Sequence, residues 1–361
     1  MRVLIIALPG IGDALLSTPA IHTLRERYQD AQIDVLCMFR GTKEILVANK
    51  DISNVIYWDF INASWIKSLN FVISLRKKYD VCINIYPQNR REYNIISYLI
   101  GAPKRMGIQY LRRDKRNLGW LLNCRIREDD SLHCVEENYN LLEFFGINNS
   151  EIPPLQLTIT QDFEDWSKHW LQEQNISGAD LVIGIHAGTA IFKNHLKRRW
   201  EPEKFTQLGN ALIDKYNARI LLFGGPEETE LRETINNRMD RKGVVVRTDS
   251  LMQSIAIMKR CNIFVSNDSA LMHIAGALQL PTLGIFGPTN ETYVHPWRTK
   301  YKIVHTDIEC RPCFYYSPKP LTCYRSADEQ FKCIHDLSVE MVLNSTKELL
   351  TKKGNLVDKN P

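Results

Sequence analysis

Several things are missing from these 361 residues. No apolar run reaches the roughly 20 residues that a membrane-crossing helix needs. The opening "MRVLIIALPGIGDALL" makes a poor secretion signal, because its apolar run is short and Asp13 interrupts it. There is no tandem repeat, no low-complexity segment and no arginine-rich arm. Charge is nearly balanced: 46 Lys and Arg against 41 Asp and Glu give +5. Such an excess is too small to argue for a nucleic-acid partner, and it suits an anionic small molecule or membrane surface. A nicotinamide fingerprint is absent too. Gly10 and Gly12 lead to Leu15 where that fingerprint needs a third glycine, and no acid closes the first unit convincingly. The chain is therefore expected to be cytoplasmic, with peripheral attachment to the inner face of the cytoplasmic membrane left open.

What is present is an ordinary globular composition, 44% hydrophobic and 24% charged, enough for two domains. Nine cysteines in a cytoplasmic chain point to thiols or metal ligands rather than disulfides. Short apolar runs alternate with longer amphipathic ones, which is the pattern of parallel α/β sheets. Strands are expected at 2–8, 32–38 and 80–86, with helices at 12–28, 63–78 and 91–100. Two prolines and polar residues mark 148–160 as a linker. A helix over 162–174 follows, and the alternation restarts. Strands at 181–188, 218–226, 243–248, 262–268 and 281–289 are separated by helices at 201–215, 227–238, 251–260 and 269–278. The expected architecture is two Rossmann-like domains with parallel sheets facing a central cleft, 1–160 and 161–335, followed by a late helix over 336–353.

Four motifs carry chemistry. In "LPGIGDALLSTPAI" (8–21) a strand runs into a glycine turn and then Asp13, an acid that would repel a phosphate placed there. In "SNDSALMHIAGAL" (266–278) a strand delivers Asp268 and Ser269 to a helix start, where either side chain can cap and free amides favour an anion. His273 follows one turn later, and "PTLGIFGPTN" (281–290) ends a second strand at Gly287. Together these make a polar floor for a diphosphate; the plainer alternative is a capped helix with a core histidine. In "HAGTAIFKNHLKRRW" (186–200), Gly188 and Thr189 offer an amide and a hydroxyl, and Lys197, Arg198 and Arg199 can neutralise phosphate unless they form a solvated loop. "FGGPEETE" (223–230) places acids on a first helical turn, suited to ribose hydroxyls or simply to the helix dipole.

These four motifs, in their order and spacing along the chain, resemble family 9 glycosyltransferases, the ADP-heptose:lipopolysaccharide heptosyltransferase family. The resemblance implies a GT-B fold, with the acceptor on the first domain, the nucleotide sugar on the second and the late helix packing back on the first. It implies inverting transfer from an ADP-sugar to a lipopolysaccharide core or related glycan, with no catalytic metal or other cofactor. By the same resemblance Asp13 is the general base. Thr189 and Arg198, with Lys197 sharing the role, meet the donor phosphates. Glu228 binds ribose, and Asp268, Ser269 and His273 bind the donor. Ala270 stands where the family has glycine. The alternative is a GT-B nucleotide-sugar protein of another kind, an epimerase or a non-catalytic binder.

The acceptor would be an anionic glycolipid at the inner membrane surface. Gly12 lies in the opening turn, and Arg90, Arg91, Lys104 and Arg105 supply cations for it, or a solvated basic surface. "WIKSLNFVISLRKKY" (65–79) fits an amphipathic core helix better than one resting on a leaflet. Cys310, Cys313, Cys323 and Cys333 have a spacing compatible with a structural metal, with disulfides or with free thiols, the last being the default.

Overall fold

The computed structural model describes residues 1–148, 151–190, 192–314 and 320–351. The chain divides into two compact units, with the break between Thr158 and Ile159. The first holds a sheet of β1 (Arg2–Ala7), β2 (Gln32–Cys37), β3 (Asn54–Tyr57), β4 (Val81–Asn84), β5 (Lys104–Gln109) and β6 (Cys124–Arg127). Their spatial order is β3-β2-β1-β4-β5-β6, all parallel. The second holds β7 (Val182–His186), β8 (Arg219–Leu222), β9 (Val244–Val245), β10 (Ile263–Asn267), β11 (Thr282–Ile285) and β12 (Tyr301–Val304). Their order is β12-β11-β10-β7-β8-β9, again all parallel.

Each unit thus starts in mid-sheet, winds outward in one direction, then returns to the middle and winds the other way. Central strands covered on both faces read as continuous apolar runs: Val3, Leu4, Ile5 and Ile6 are all buried. The chain reverses between β1 and β4 in one unit and between β7 and β10 in the other. In open α/β sheets, ligands bind beyond the carboxyl ends of the strands at such a switch point.

The structure departs from the sequence expectations in several places. β3, β5, β6 and β12 were not foreseen, since these four-to-six-residue strands carry polar residues such as Lys104, Arg105 and Arg125 and lack a clean apolar run. The helix expected over 12–28 is two, Ile11–Leu16 and Thr18–Arg27. Pro19 has no amide to donate to the Leu15 carbonyl, and the Thr18 hydroxyl takes that carbonyl instead at 2.7 Å. Residues 151–160 of the expected linker form no helix or strand; 149 and 150 lie outside the described residues.

The late helix is Val339–Thr351. It lies against the helix Pro202–Tyr216 and strands β10 to β12, and Val342, Leu349 and Leu350 join the core of the second unit. Its buried residues recur at helical spacing, and the second sheet presents the apolar surface that accepts them. Residues 352–353 of the expected helix lie outside the described residues. The helix Trp65–Ser74 packs on the core of the first unit through Phe71 and Val72, but only Val72 on it is buried.

Candidate functional site at the carboxyl edges

At the β7/β10 switch point, His186 closes β7 and stands between two partners. A carboxylate only accepts, so His186 Nε2 donates to Glu228 Oε2 at 3.0 Å, while Nδ1 lies 2.9 Å from Ser269 Oγ. Glu228 is buried and also accepts from the Gly225 amide at 3.2 Å and from Arg199 Nη2 at 3.1 Å. Burial alone would raise its carboxyl; the hydrogen bond and charge of His186, the Gly225 amide and Arg199 hold it below the usual carboxylate range. Three of its roughly four acceptor positions are therefore engaged within the protein.

Arg199 reaches back as well, donating through Nη2 to the Thr189 carbonyl at 2.9 Å and through Nε to Thr189 Oγ1 at 3.2 Å. The Thr189 hydroxyl donates to the His195 carbonyl at 3.0 Å. Thr189 thereby ties the loop together. Arg198 is buried and pairs with Asp268 Oδ2 at 2.5 Å, with Phe314 against its guanidinium plane. Lys197 is exposed and its ammonium lies over the Phe331 ring, 5.9 Å from the centroid, apart from the Arg198–Asp268 pair.

Neither Asp268 nor Ser269 caps the helix Ala270–Ala277. Ser269 occupies the N-cap position, but its hydroxyl turns to His186 and Ser266, and among the described residues no side chain accepts from the first turn. The helix start is left as a group of backbone donors at the carboxyl edge. Ala270 adopts ordinary helical geometry as the first residue, so no glycine is required there for backbone reasons. His273, one turn in, is buried; burial drives its imidazole down to about 4, so it is neutral at physiological pH. Gly287 follows β11 and packs on Ile334, 3.2 Å from where a Cβ would sit.

At the β1/β4 switch point, Asp13 Oδ2 accepts from the Gly10 amide at 3.0 Å, the return half of a capping box. Gly12 is buried inside the short helix. Neither Gly10 nor Gly12 has a positive φ, and a Cβ on Gly10 would meet only Asp13 Oδ2, at 3.6 Å, an ordinary contact. Gln88, beyond β4, is buried and accepts from the Leu8 amide at 3.4 Å. Arg90 precedes the helix Arg91–Ile100 with its guanidinium 5.9 Å from the Tyr93 ring centre, and Arg91 pairs with Glu92 at 3.0 Å. Lys104 and Arg105 are not at this edge. They begin β5, at the amino end of a parallel strand, and Arg105 donates to the carbonyls of Leu121 and Ala102.

The four late cysteines line one small cavity with Pro288, Arg325 and Phe331. All nine cysteines are free thiols, and among the described residues no group of three or more His, Cys, Asp or Glu is arranged to hold a metal ion. His186 and Gln88 escaped the sequence reading. For His186 a signal existed: a lone polar residue closing the apolar strand "LVIGIH".

The model of glycosyltransferase family 9 (heptosyltransferase) matches residues 69–324. The chain belongs to this family. It is a glycosyltransferase of the heptosyltransferase type, with a GT-B fold. It is 25% identical over 369 residues to lipooligosaccharide heptosyltransferase 2 of Campylobacter jejuni, covering 97% of this chain and 98% of that one. A family 9 glycosyl transferase from Veillonella parvula has a similar structure, with a TM-score of 0.78 at 20% identity and 97% of each chain covered. So does the E. coli ADP-heptose lps heptosyltransferase II, with a TM-score of 0.75 at 21% identity, covering 98% of this chain and all (100%) of that one.

Proposed function

We propose that this glycosyltransferase moves a heptose from ADP-heptose to a lipopolysaccharide-type core acceptor, with inversion at the anomeric carbon and no catalytic metal. The acceptor is an anionic glycolipid at the inner face of the cytoplasmic membrane. The observation that carries the donor half is the uncapped start of the helix Ala270–Ala277 at the β7/β10 switch point. Arg198 is neutralised by Asp268 and Arg199 by Glu228, so the positive end of the helix and the exposed Lys197 provide the field that draws the diphosphate. As the bond to the anomeric carbon breaks, negative charge grows on the diphosphate and these donors stabilise it. Arg198 lends directional N–H groups while its pairing with Asp268 keeps it in place. Glu228 keeps one acceptor position for a ribose hydroxyl, and Gly188 and Gly287 keep the strand ends free of side chains. His273, held neutral, adds a donor or acceptor without charge.

On the acceptor side, Asp13 takes the proton of the attacking hydroxyl. The Gly10 amide fixes its carboxylate, which reduces the orientational freedom lost on reaching the transition state. Gly12 keeps the turn narrow, and Arg90 and Arg91 meet the acceptor's anionic groups. The family names of the relatives and the ADP-heptose in the name of the E. coli enzyme support the substrate classes.

The test is direct. ADP should raise the melting temperature more than UDP or NAD, since a ligand that binds only the native state stabilises it. Mass spectrometry should find a heptose added to a core oligosaccharide when ADP-heptose is supplied. A clear UDP shift without an ADP shift would refute the donor, and ADP binding without any product would leave a binder in place of an enzyme.

A further inference from the structure

The helix Trp65–Ser74 is apolar on two sides. Its inner side packs normally: Phe71 stacks on Trp58 with centroids 4.3 Å apart, Ser68 accepts from the Trp58 indole, and Val72 and Leu75 enter the core. Its other side holds Trp65, Ile66, Leu69 and Ile73, one stripe at i, i+1, i+4 and i+8, with exposures of 75%, 53%, 39% and 41%. A helix that is apolar all round is ordinarily buried, and a clustered exposed apolar surface marks an interaction site. The exposure is also lopsided across the molecule. Among the described residues, 11 of the 15 exposed large hydrophobics lie in the first unit.

Charge identifies the occupant. Between Asp59 and Asp80 there is no acid, while Lys67 sits near the start of the stripe and Arg76, Lys77 and Lys78 follow its end, all exposed. Trp and aliphatic side chains flanked by Lys and Arg are what a helix lying in a bilayer interface requires: the apolar groups enter the acyl boundary and the cations meet anionic headgroups. A second copy is a poorer fit, because a two-fold contact would press the same cations together, and the stretch between Asp59 and Asp80 has no acid to pair them. The crossover also has the right polarity. It leaves the carboxyl end of β3 and returns to the amino end of β4, so Trp65 lies at the sheet edge that carries Asp13.

We infer that the Trp65–Ile73 face docks the first unit on an anionic lipid bilayer, at the edge where a lipid-anchored acceptor must present its hydroxyl. This deepens the function proposed above and rests on it for the acceptor alone.

Vesicle flotation tests the docking. The full chain should float with phosphatidylglycerol vesicles and much less with phosphatidylcholine ones. The Trp65→Ser/Leu69→Ser/Ile73→Ser variant should partition roughly tenfold less or lower, and Lys67→Gln/Lys77→Gln/Lys78→Gln should lose the preference for phosphatidylglycerol. Circular dichroism and the melting temperature should match the parent, because these side chains lie outside the core. Equal flotation of parent and serine variant overturns the proposal. So does a parent dimer in sedimentation that the serine variant converts to monomer without change in flotation. With heptose transfer as readout, the serine variant should match the parent on a de-acylated soluble core and fall behind on acceptor embedded in vesicles. A parent that floats but transfers to neither acceptor refutes the function and leaves the docking standing.

Discussion

The carboxylate of Glu228 occupies the space where any other residue at position 188 would put its side chain. A Cβ on Gly188 would lie 1.7 Å from Glu228 Oε1 and 2.1 Å from its Cδ. Position 188 is glycine for close approach, and the approach joins the β7 turn to the turn after β8. Gly188→Ala must expel Glu228 from His186 and Arg199. Breaking a buried ion pair costs about 3–5 kcal/mol, so the melting transition should fall by several degrees and the ADP-induced shift should vanish. A variant with parental stability and ADP binding would mean that the turn can move aside freely.

Arg198 and Asp268 form the other buried pair, with side chains 8% and 7% exposed. Arg198→Gln leaves Asp268 charged and unpaired and should destabilise by about 3 kcal/mol or more. Adding Asp268→Asn removes the stranded charge, so the double variant should recover most of that stability in urea titration. It should not recover ADP affinity if Arg198 contacts the donor. Recovery of both would make the pair purely structural.

The polar ends of β1 and β10 were legible in the sequence: Asp13 after a glycine turn, and Asn267-Asp268-Ser269 after "IFVS". Their parallel strands are buried on both faces and read as unbroken apolar runs. The edge strands β3, β6 and β12 and the neighbouring β5 had no such signal, since edges and exposed strand ends tolerate Lys and Arg. Lys104 and Arg105 looked like acceptor cations for the same reason: without β5, nothing told which end of the sheet they occupied. Sequence also placed Ser269 at a helix start but could not tell that its hydroxyl would turn to His186, because that partner lies 83 residues away. The helix Trp65–Ser74 misled in the opposite sense, its composition announcing burial while its position put one side in solvent.

In the first unit, Glu137 should make stability fall as pH rises from 4.5 to about 7. It is 1% exposed, accepts from the Asp129 amide at 2.7 Å through Oε1, and its Oε2 has no hydrogen-bond partner among the described residues. Burial pushes its carboxyl up to about 7, against the opposing pull of that amide. The folded state therefore keeps a proton that the unfolded chain loses near the ordinary value of 4.5. The resulting stability is complete below that value and disappears as pH rises through about 7. Glu137→Gln keeps the acceptor and cannot ionise. Compared by urea unfolding at pH 5 and 9, it should gain on the parent by up to about 3 kcal/mol at the higher pH. Parallel pH profiles would mean that Glu137 ionises normally in the fold.

Asp13 holds the Gly10 amide and is also the proposed base, and two substitutions separate these duties. Asp13→Asn retains an oxygen for the Gly10 amide but is a far weaker base. It should keep the parent's melting temperature and its ADP shift, while transfer falls by about 100-fold or more, the scale of losing a general base. Asp13→Ala loses the cap as well, which costs about 1 kcal/mol, so it should melt a few degrees lower and be equally inactive. The ordering carries the conclusion. Equal inactivity with unequal stability assigns the chemistry to the carboxylate and the cap to its geometry. If Asp13→Asn turned over like the parent, Asp13 would be a capping residue alone, and the proton of the acceptor hydroxyl would have to leave by another group.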